Sequence, residues 1–161
     1  MSNRDALLDT LARSEGTATS PVTQNMGYDI IVTGEDGAPE RFDDYSRHPF
    51  EGGRAAKVIN SARGLDSTAS GRYQEILHQW LAYKHLLSLP DFSPASQDAA
   101  ALQQIKECGG LVLIDAGRFD ETIAAISHLW ASLAGANYPG QNMRSMGWLR
   151  LQYTNAGGTI A

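Results

Sequence analysis

The feature that most restricts this chain is a break in its helical patterning. Residues 16–70 hold seven glycines and three prolines and lose the 3.6-residue apolar period seen on either side. A segment of that length is too long for a plain loop in a compact domain, so a small sheet carrying function is expected there. Tyr28-Asp29-Ile30-Ile31-Val32 is a β-rich run. Gly34-Glu35-Asp36-Gly37 is a turn signal, and residues 42–45 are expected to return as a second strand.

Helical patterning frames this segment. Leu7, Leu8 and Leu11 fall on one face, which predicts a helix over residues 3–14, with Gly16 as its stop. Helix is expected again from about residue 71. Its apolar face is Tyr73, Ile76, Leu77, Trp80, Leu81, the Lys84 stem and Leu87, and Pro90 ends it. Ser93-Pro94 starts the next helix with an N-cap and a first-turn proline, and Gly109-Gly110 closes it. A short helix over 111–115, another over 119–132 and a last one over 143–155 complete the reading, with Ile123, Ile126 and Trp130 as core positions. The result is one mostly helical domain over residues 1–161, with a β-rich lobe at about 16–70.

Composition removes several classes of function. The net charge of −5 argues against general nucleic-acid binding, which needs many cations to displace counterions. One cysteine, Cys108, excludes an internal disulfide framework and fits folding in a reducing compartment. No apolar run approaches the roughly 20 residues of a membrane span, and residues 1–12 alternate charge with leucine. Neither a signal peptide nor a membrane anchor is expected. Charge is uneven: residues 1–40 carry two cations against seven anions, and residues 41–72 six against four. The basic stretch is either a solvated loop surface or a face that meets an anionic partner.

Metal and phosphate chemistry find no support. The four histidines, His48, His78, His85 and His128, include no i, i+4 pair, and neither a zinc signature nor a phosphate loop is present. No metal and no cofactor are expected. Cys108 has no pairing argument as a nucleophile. Carboxylates remain. Glu15 is expected at the C-terminal end of the first helix, just before Gly16. The helix dipole disfavours an anion there by about 0.3–1 kcal/mol, and partial burial would add to this. Both raise the carboxyl pKa, as general-acid cleavage of a glycosidic bond requires. The alternative is a surface glutamate at a helix end.

A set of blocks in fixed order goes further. Leu11-Ala12-Arg13-Ser14-Glu15-Gly16-Thr17 precedes Gly27-Tyr28-Asp29-Ile30-Ile31-Val32 and Asp44-Tyr45-Ser46-Arg47-His48-Pro49. Ser67-Thr68-Ala69-Ser70-Gly71-Arg72-Tyr73-Gln74 and Asp91-Phe92-Ser93-Pro94-Ala95-Ser96-Gln97-Asp98 follow. Then come Ala101-Leu102-Gln103-Gln104-Ile105-Lys106-Glu107, Trp130-Ala131-Ser132-Leu133, Gly135-Ala136 and Tyr138. Across nearly the whole chain this resembles the bacteriophage lambda endolysin family.

The resemblance implies a lysozyme-like α+β fold, mostly helical, with a small β lobe and a substrate cleft between two lobes. It implies a lytic transglycosylase acting on peptidoglycan glycan strands, with Glu15 as general acid and then base. It also implies release by a holin, from the host cytoplasm to the cell wall, and a monomer is expected. Gln74 and Tyr138 are carried over as sugar contacts, with packing as the alternative. Thr68 and Ser70 are expected as hydrogen-bond donors, and Arg72 lies in the same segment. Tyr28 and Tyr73 either stack on sugar rings or pack in the core. Ala134 and Asn137 stand where the family has proline and glycine, so a differently shaped loop before Tyr138 is expected. Asp29, Asp36, Asp43 and Asp44 keep open a hydrolytic muramidase with a second carboxylate. A non-catalytic glycan-binding domain is the further alternative.

Overall fold

In the computed structural model, which describes residues 2–136, 138 and 142–161, six helices accompany two short antiparallel hairpins. The chain divides into two compact units: Met1–Glu15 with Ala101–Ala161, and Gly16–Ala100.

The first unit is helical. Helix α1, Asn3–Ser14, is opened by a capping box between Ser2 and Asp5, which satisfies two backbone donors left free by helix geometry. Its buried face is Ala6, Leu7, Leu8, Thr10, Leu11 and Ala12. α3, Pro94–Glu107, belongs to this unit only from Ala101 on, its first seven residues lying in the second unit; α4 is Gly110–Asp115, α5 Phe119–Ile126 and α6 Met146–Asn155. α1 packs on α4 and α6, and α4 on α5. Phe119 stacks on Tyr153 at 4.4 Å, and Asn3 ties α1 to Ile114 O and to the Thr159 backbone, each at 3.0 Å.

Three boundaries differ from the sequence reading here. α3 stops at Glu107, and only Gly109 serves as a stop, at φ +73°. Gly110 instead opens α4, pressed against Ile105 and Ile126 so closely that a Cβ would lie 2.8 Å from Ile105 Cγ2. α5 ends at Ile126, where the chain turns and Leu129 N–H donates to Ile126 O. α6 begins at Met146 because Ser145 caps it, its hydroxyl accepting from Trp148 N.

The second unit holds the sheets. β1, Ile30–Ile31, pairs with β2, Glu40–Arg41; β3, Lys57–Asn60, pairs with β4, Leu65–Ser67, across a bulge. The returning strand thus lies at 40–41 and not at 42–45. Past Phe42 the chain leaves the ladder: the Phe42 ring packs on Phe92 at 5.8 Å, and the Asp44 carboxylate closes a turn on Ser46 N. The 57–67 hairpin carries no strong alternation of apolar residues, and the sequence gives no sign of it.

Helix α2, Leu77–Leu87, begins six residues later than the periodicity predicts. Segment 70–75 is instead a tight turn. Ser70 and Glu75 bridge one another, and Gly71 (φ +77°) and Gln74 (φ +53°) take the left-handed conformation that a helix forbids. Only Trp80 of α2 is fully buried, while Leu81 and Leu86 stay exposed. Trp80, Phe92 and Ala100 form the core of this unit, joined by Phe42, Tyr83 and Leu89.

Candidate active site

Glu15 is the C-cap of α1, followed by Gly16 at φ +79°. Its carboxylate oxygen Oε1 lies 2.5 Å from the Ser132 hydroxyl. That hydroxyl is also 2.9 Å from Ser14 Oγ, and Ser14 in turn donates to Leu11 O at 2.8 Å. Burial raises the Glu15 pKa above its ordinary value, because removal from water disfavours the charged form. The Ser132 hydroxyl and backbone N–H and the positive charge of Arg144 act against that rise. Arg144 is steadied by its own contacts: its N–H donates to Ser132 O at 2.8 Å, and its guanidinium lies 4.8 Å over the Trp148 ring. Tyr138, in the same unit, is exposed, and its hydroxyl donates to His128 O at 2.7 Å. Asn137 lies outside the described residues. Ala134 precedes a turn in which Gly135 takes φ +87°.

The other six residues expected at the site belong to the second unit, where a single aspartate holds two of them. Tyr28 and Tyr73 both donate to Asp98 Oδ1, at 2.8 and 2.6 Å. Burial, with the Asp98 charge next, pushes the Tyr28 phenol up to about 12 and Tyr73 higher in the same direction. Arg72 lies 4.8 Å over the Tyr28 ring and donates to Met26 O. The Arg72 carbonyl accepts from buried Thr17, at 2.6 Å. Thr68 Oγ1 accepts from Leu77 N at 2.9 Å, supplying the cap that Ile76 cannot. Ser70 is fully buried, its hydroxyl 3.2 Å from Thr68 O. Gln74 donates through its amide to Gly71 O. Behind this segment sits Gln97, fully buried, which accepts from Arg72 N and donates to Tyr28 O and Phe92 O.

Asp29, Asp36, Asp43 and Asp44, the candidates for a second carboxylate, each have a local partner. Asp29 accepts from Thr23 and Gln24, Asp36 from Ala38 N and Asp44 from Ser46 N, and Asp43 pairs with Arg41. Cys108 Sγ is 3.7 Å from His128 Nε2, a pairing invisible in sequence, but burial raises its pKa and so favours the unreactive thiol. Among the described residues, no three His, Cys, Asp or Glu side chains gather as a metal site would require. Among them, no helix is long and apolar enough to cross a membrane.

Sequence reasoning did not single out Ser132 and Arg144 beside Glu15, nor Gln97 and Asp98 behind the 70–75 turn. Ser132, Gln97 and Asp98 stand inside the family-like blocks, which was the available signal. Arg144 lay outside them.

The architecture is similar to two solved structures. One is bacteriophage lambda lysozyme complexed with a chitohexasaccharide, with TM-score 0.87 and 46% identity, covering 99% of this chain and 96% of that one. The other, lysozyme from bacteriophage lambda, has TM-score 0.83 and 46% identity, with the same coverage. A helical chain with small antiparallel hairpins and this likeness is a lysozyme-like α+β protein. The endolysin of Escherichia phage P2 is 54% identical over 159 residues, covering 99% of this chain and 95% of that protein. That of Escherichia phage lambda is 47% identical over 158 residues, covering 98% and 92%. With the Endolysin family model matching residues 5–160, the chain belongs to the endolysin family.

Proposed function

We propose that this endolysin is a lytic transglycosylase that cuts peptidoglycan between N-acetylmuramic acid and N-acetylglucosamine. The observation that carries the reading is the Glu15 carboxyl, whose pKa burial raises while the Ser132 hydroxyl holds one oxygen. A carboxyl that burial pushes toward its protonated form, with a hydroxyl to hold its ionised form, suits a reaction in which it acts first as acid and then as base. Protonated Glu15 gives its proton to the glycosidic oxygen, and the C1–O bond breaks. The resulting carboxylate takes the proton of the muramic C6 hydroxyl as O6 bonds to C1. The product is a 1,6-anhydro end, no water is consumed, and Glu15 returns protonated.

One carboxylate suffices for this sequence, whereas a retaining or inverting hydrolase uses two. Asp29, Asp36, Asp43 and Asp44 are held by local hydrogen bonds or an ion pair, which supports the transglycosylase over the muramidase. The chitohexasaccharide bound by the lambda lysozyme supports a glycan substrate. In this reading Tyr138, Gln74, Thr68, Ser70 and Arg72 contact or frame the sugar, Tyr28 and Tyr73 hold the Arg72 segment through Asp98, and residues 1–161 form one catalytic domain. The protein acts as a monomer on the cell wall after holin-dependent release from the host cytoplasm, and needs no cofactor or metal.

The test is clearing of purified peptidoglycan by wild type and by Glu15→Gln, with mass spectrometry of the released muropeptides. Loss of a general acid–base group lowers the rate by about 10²–10⁴-fold. Products about 18 Da lighter than hydrolytic ones, for want of a water, are expected. Equal clearing by the variant refutes the role of Glu15, and hydrated products refute the transglycosylase.

A further inference from the structure

The hydroxyl chain that begins at Glu15 has a property its distances alone determine. Ser132 Oγ is within hydrogen-bond reach of both Glu15 Oε1, at 2.5 Å, and Ser14 Oγ, at 2.9 Å. A serine hydroxyl carries one hydrogen, so it can donate to only one of them at a time. Ser14 already spends its hydrogen on Leu11 O and meets Ser132 as an acceptor. Both serines are buried, so a misdirected hydrogen would leave a polar group unpaired away from water, which is unfavourable.

We infer that Ser132 and Ser14 form a reversible hydroxyl chain that accommodates Glu15 in both its protonated and its ionised form. With Glu15 ionised, Ser132 donates to Oε1. With Glu15 protonated, the carboxyl O–H donates to Ser132 Oγ, Ser132 rotates to donate to Ser14 Oγ, and Ser14 keeps its bond to Leu11 O. No proton leaves the chain and no heavy atom moves; one hydroxyl turns. In the free protein Glu15 therefore has a hydrogen-bond partner in Ser132 in either protonation state. Ser132 and Ser14 are positioning residues in this scheme. The inference rests on the role proposed for Glu15, but the chain itself is a property of the free protein.

The charges near Glu15 do not provide this alternation. Arg144, on the segment before α6, is positive in either state and favours only the carboxylate. The other ionic groups of the surrounding elements have partners of their own: Arg13 with Asp9 on α1, Arg4 with Asp115 of α4, and Arg150 of α6 with Asp120 of α5.

The two serines therefore have opposite effects when removed. Ser132→Ala deletes a donor to the charged form and an acceptor for the protonated form; the bond to the charged form is the stronger of the two, so the Glu15 midpoint should rise, by about half to one pH unit. Ser14→Ala deletes an acceptor used only when Glu15 is protonated, and the midpoint should fall by about half a unit. Carboxyl carbon NMR of labelled protein reads this directly, with Glu15→Gln assigning the resonance. Ser14→Thr, which restores a hydroxyl, should return the midpoint toward wild type. Shifts of opposite sign with this rescue support the chain. Shifts of the same sign, or none for Ser14→Ala, overturn it. The titration needs no substrate, so its outcome is separate from that of the clearing assay.

Discussion

Replacing Gln97 with leucine tests whether one buried amide holds the segment that carries Arg72 and Tyr73. Gln97 is 0% exposed and has nearly the volume of leucine, so packing changes little. Its amide accepts from Arg72 N at 2.8 Å and donates to Tyr28 O at 3.1 Å and Phe92 O at 2.9 Å. Leucine removes all three partners from buried backbone groups. At about 1–2 kcal/mol for each group left unpaired, the loss is about 3–6 kcal/mol. Domains of this kind are stable by about 5–15 kcal/mol, so the variant should fold only marginally. For this chain length the melting temperature should fall by roughly 10–20 °C. Urea unfolding followed by tryptophan fluorescence at neutral pH, with thermal melts by circular dichroism, measures both. A loss below about 1 kcal/mol would refute the reasoning: the backbone groups would then have found other partners.

Other consequences follow from single residues. His48 is buried with Phe50 N donating to its Nδ1 and its Nε2 donating to Glu75 O, and burial lowers its pKa. A lowered folded-state pKa means stability is fully present above about pH 6.5, the ordinary histidine value, and is lost as pH falls through the folded-state pKa. Urea midpoints at pH 7 and pH 5 should therefore drop more for wild type than for His48→Gln, and equal drops would contradict this. A Cβ on Gly27, at φ +91°, would sit 2.8 Å from Ala18 N, Thr17 C and Thr17 Oγ1. Gly27→Ala should cost about 2–5 kcal/mol from conformation and overlap together. Gly16, at φ +79° with open space around it, should cost only about 1–2 kcal/mol as alanine. Similar losses at the two positions, by urea unfolding, would show that overlap is not the cause.

Much of the helical architecture is legible in sequence because it is local. The α1 stripe, its glycine stop, the Ser93-Pro94 start and the Gly109 turn are decided by residues within a few positions of one another, and the structure has them at those places. The placement of Glu15 at a helix C-terminus is of the same kind. The errors share another cause. The apolar spacing of 73–87 satisfies a helix, yet residues 70–75 form a turn because Gln97 and Asp98, more than twenty positions away, bind that segment. The β3–β4 hairpin escaped for a similar reason: strands without a single buried residue have no buried face to impose a period.

By itself, then, the sequence determined most of the helices, the placement of Glu15 at a helix end, and through its ordered blocks the family. Tertiary structure decided what surrounds Glu15. Ser132 lies 117 positions from Glu15, and no periodicity or spacing rule connects residues so far apart. Burial raises the Glu15 pKa only once the chain has closed around it, so sequence can name this carboxyl but not fix its proton affinity.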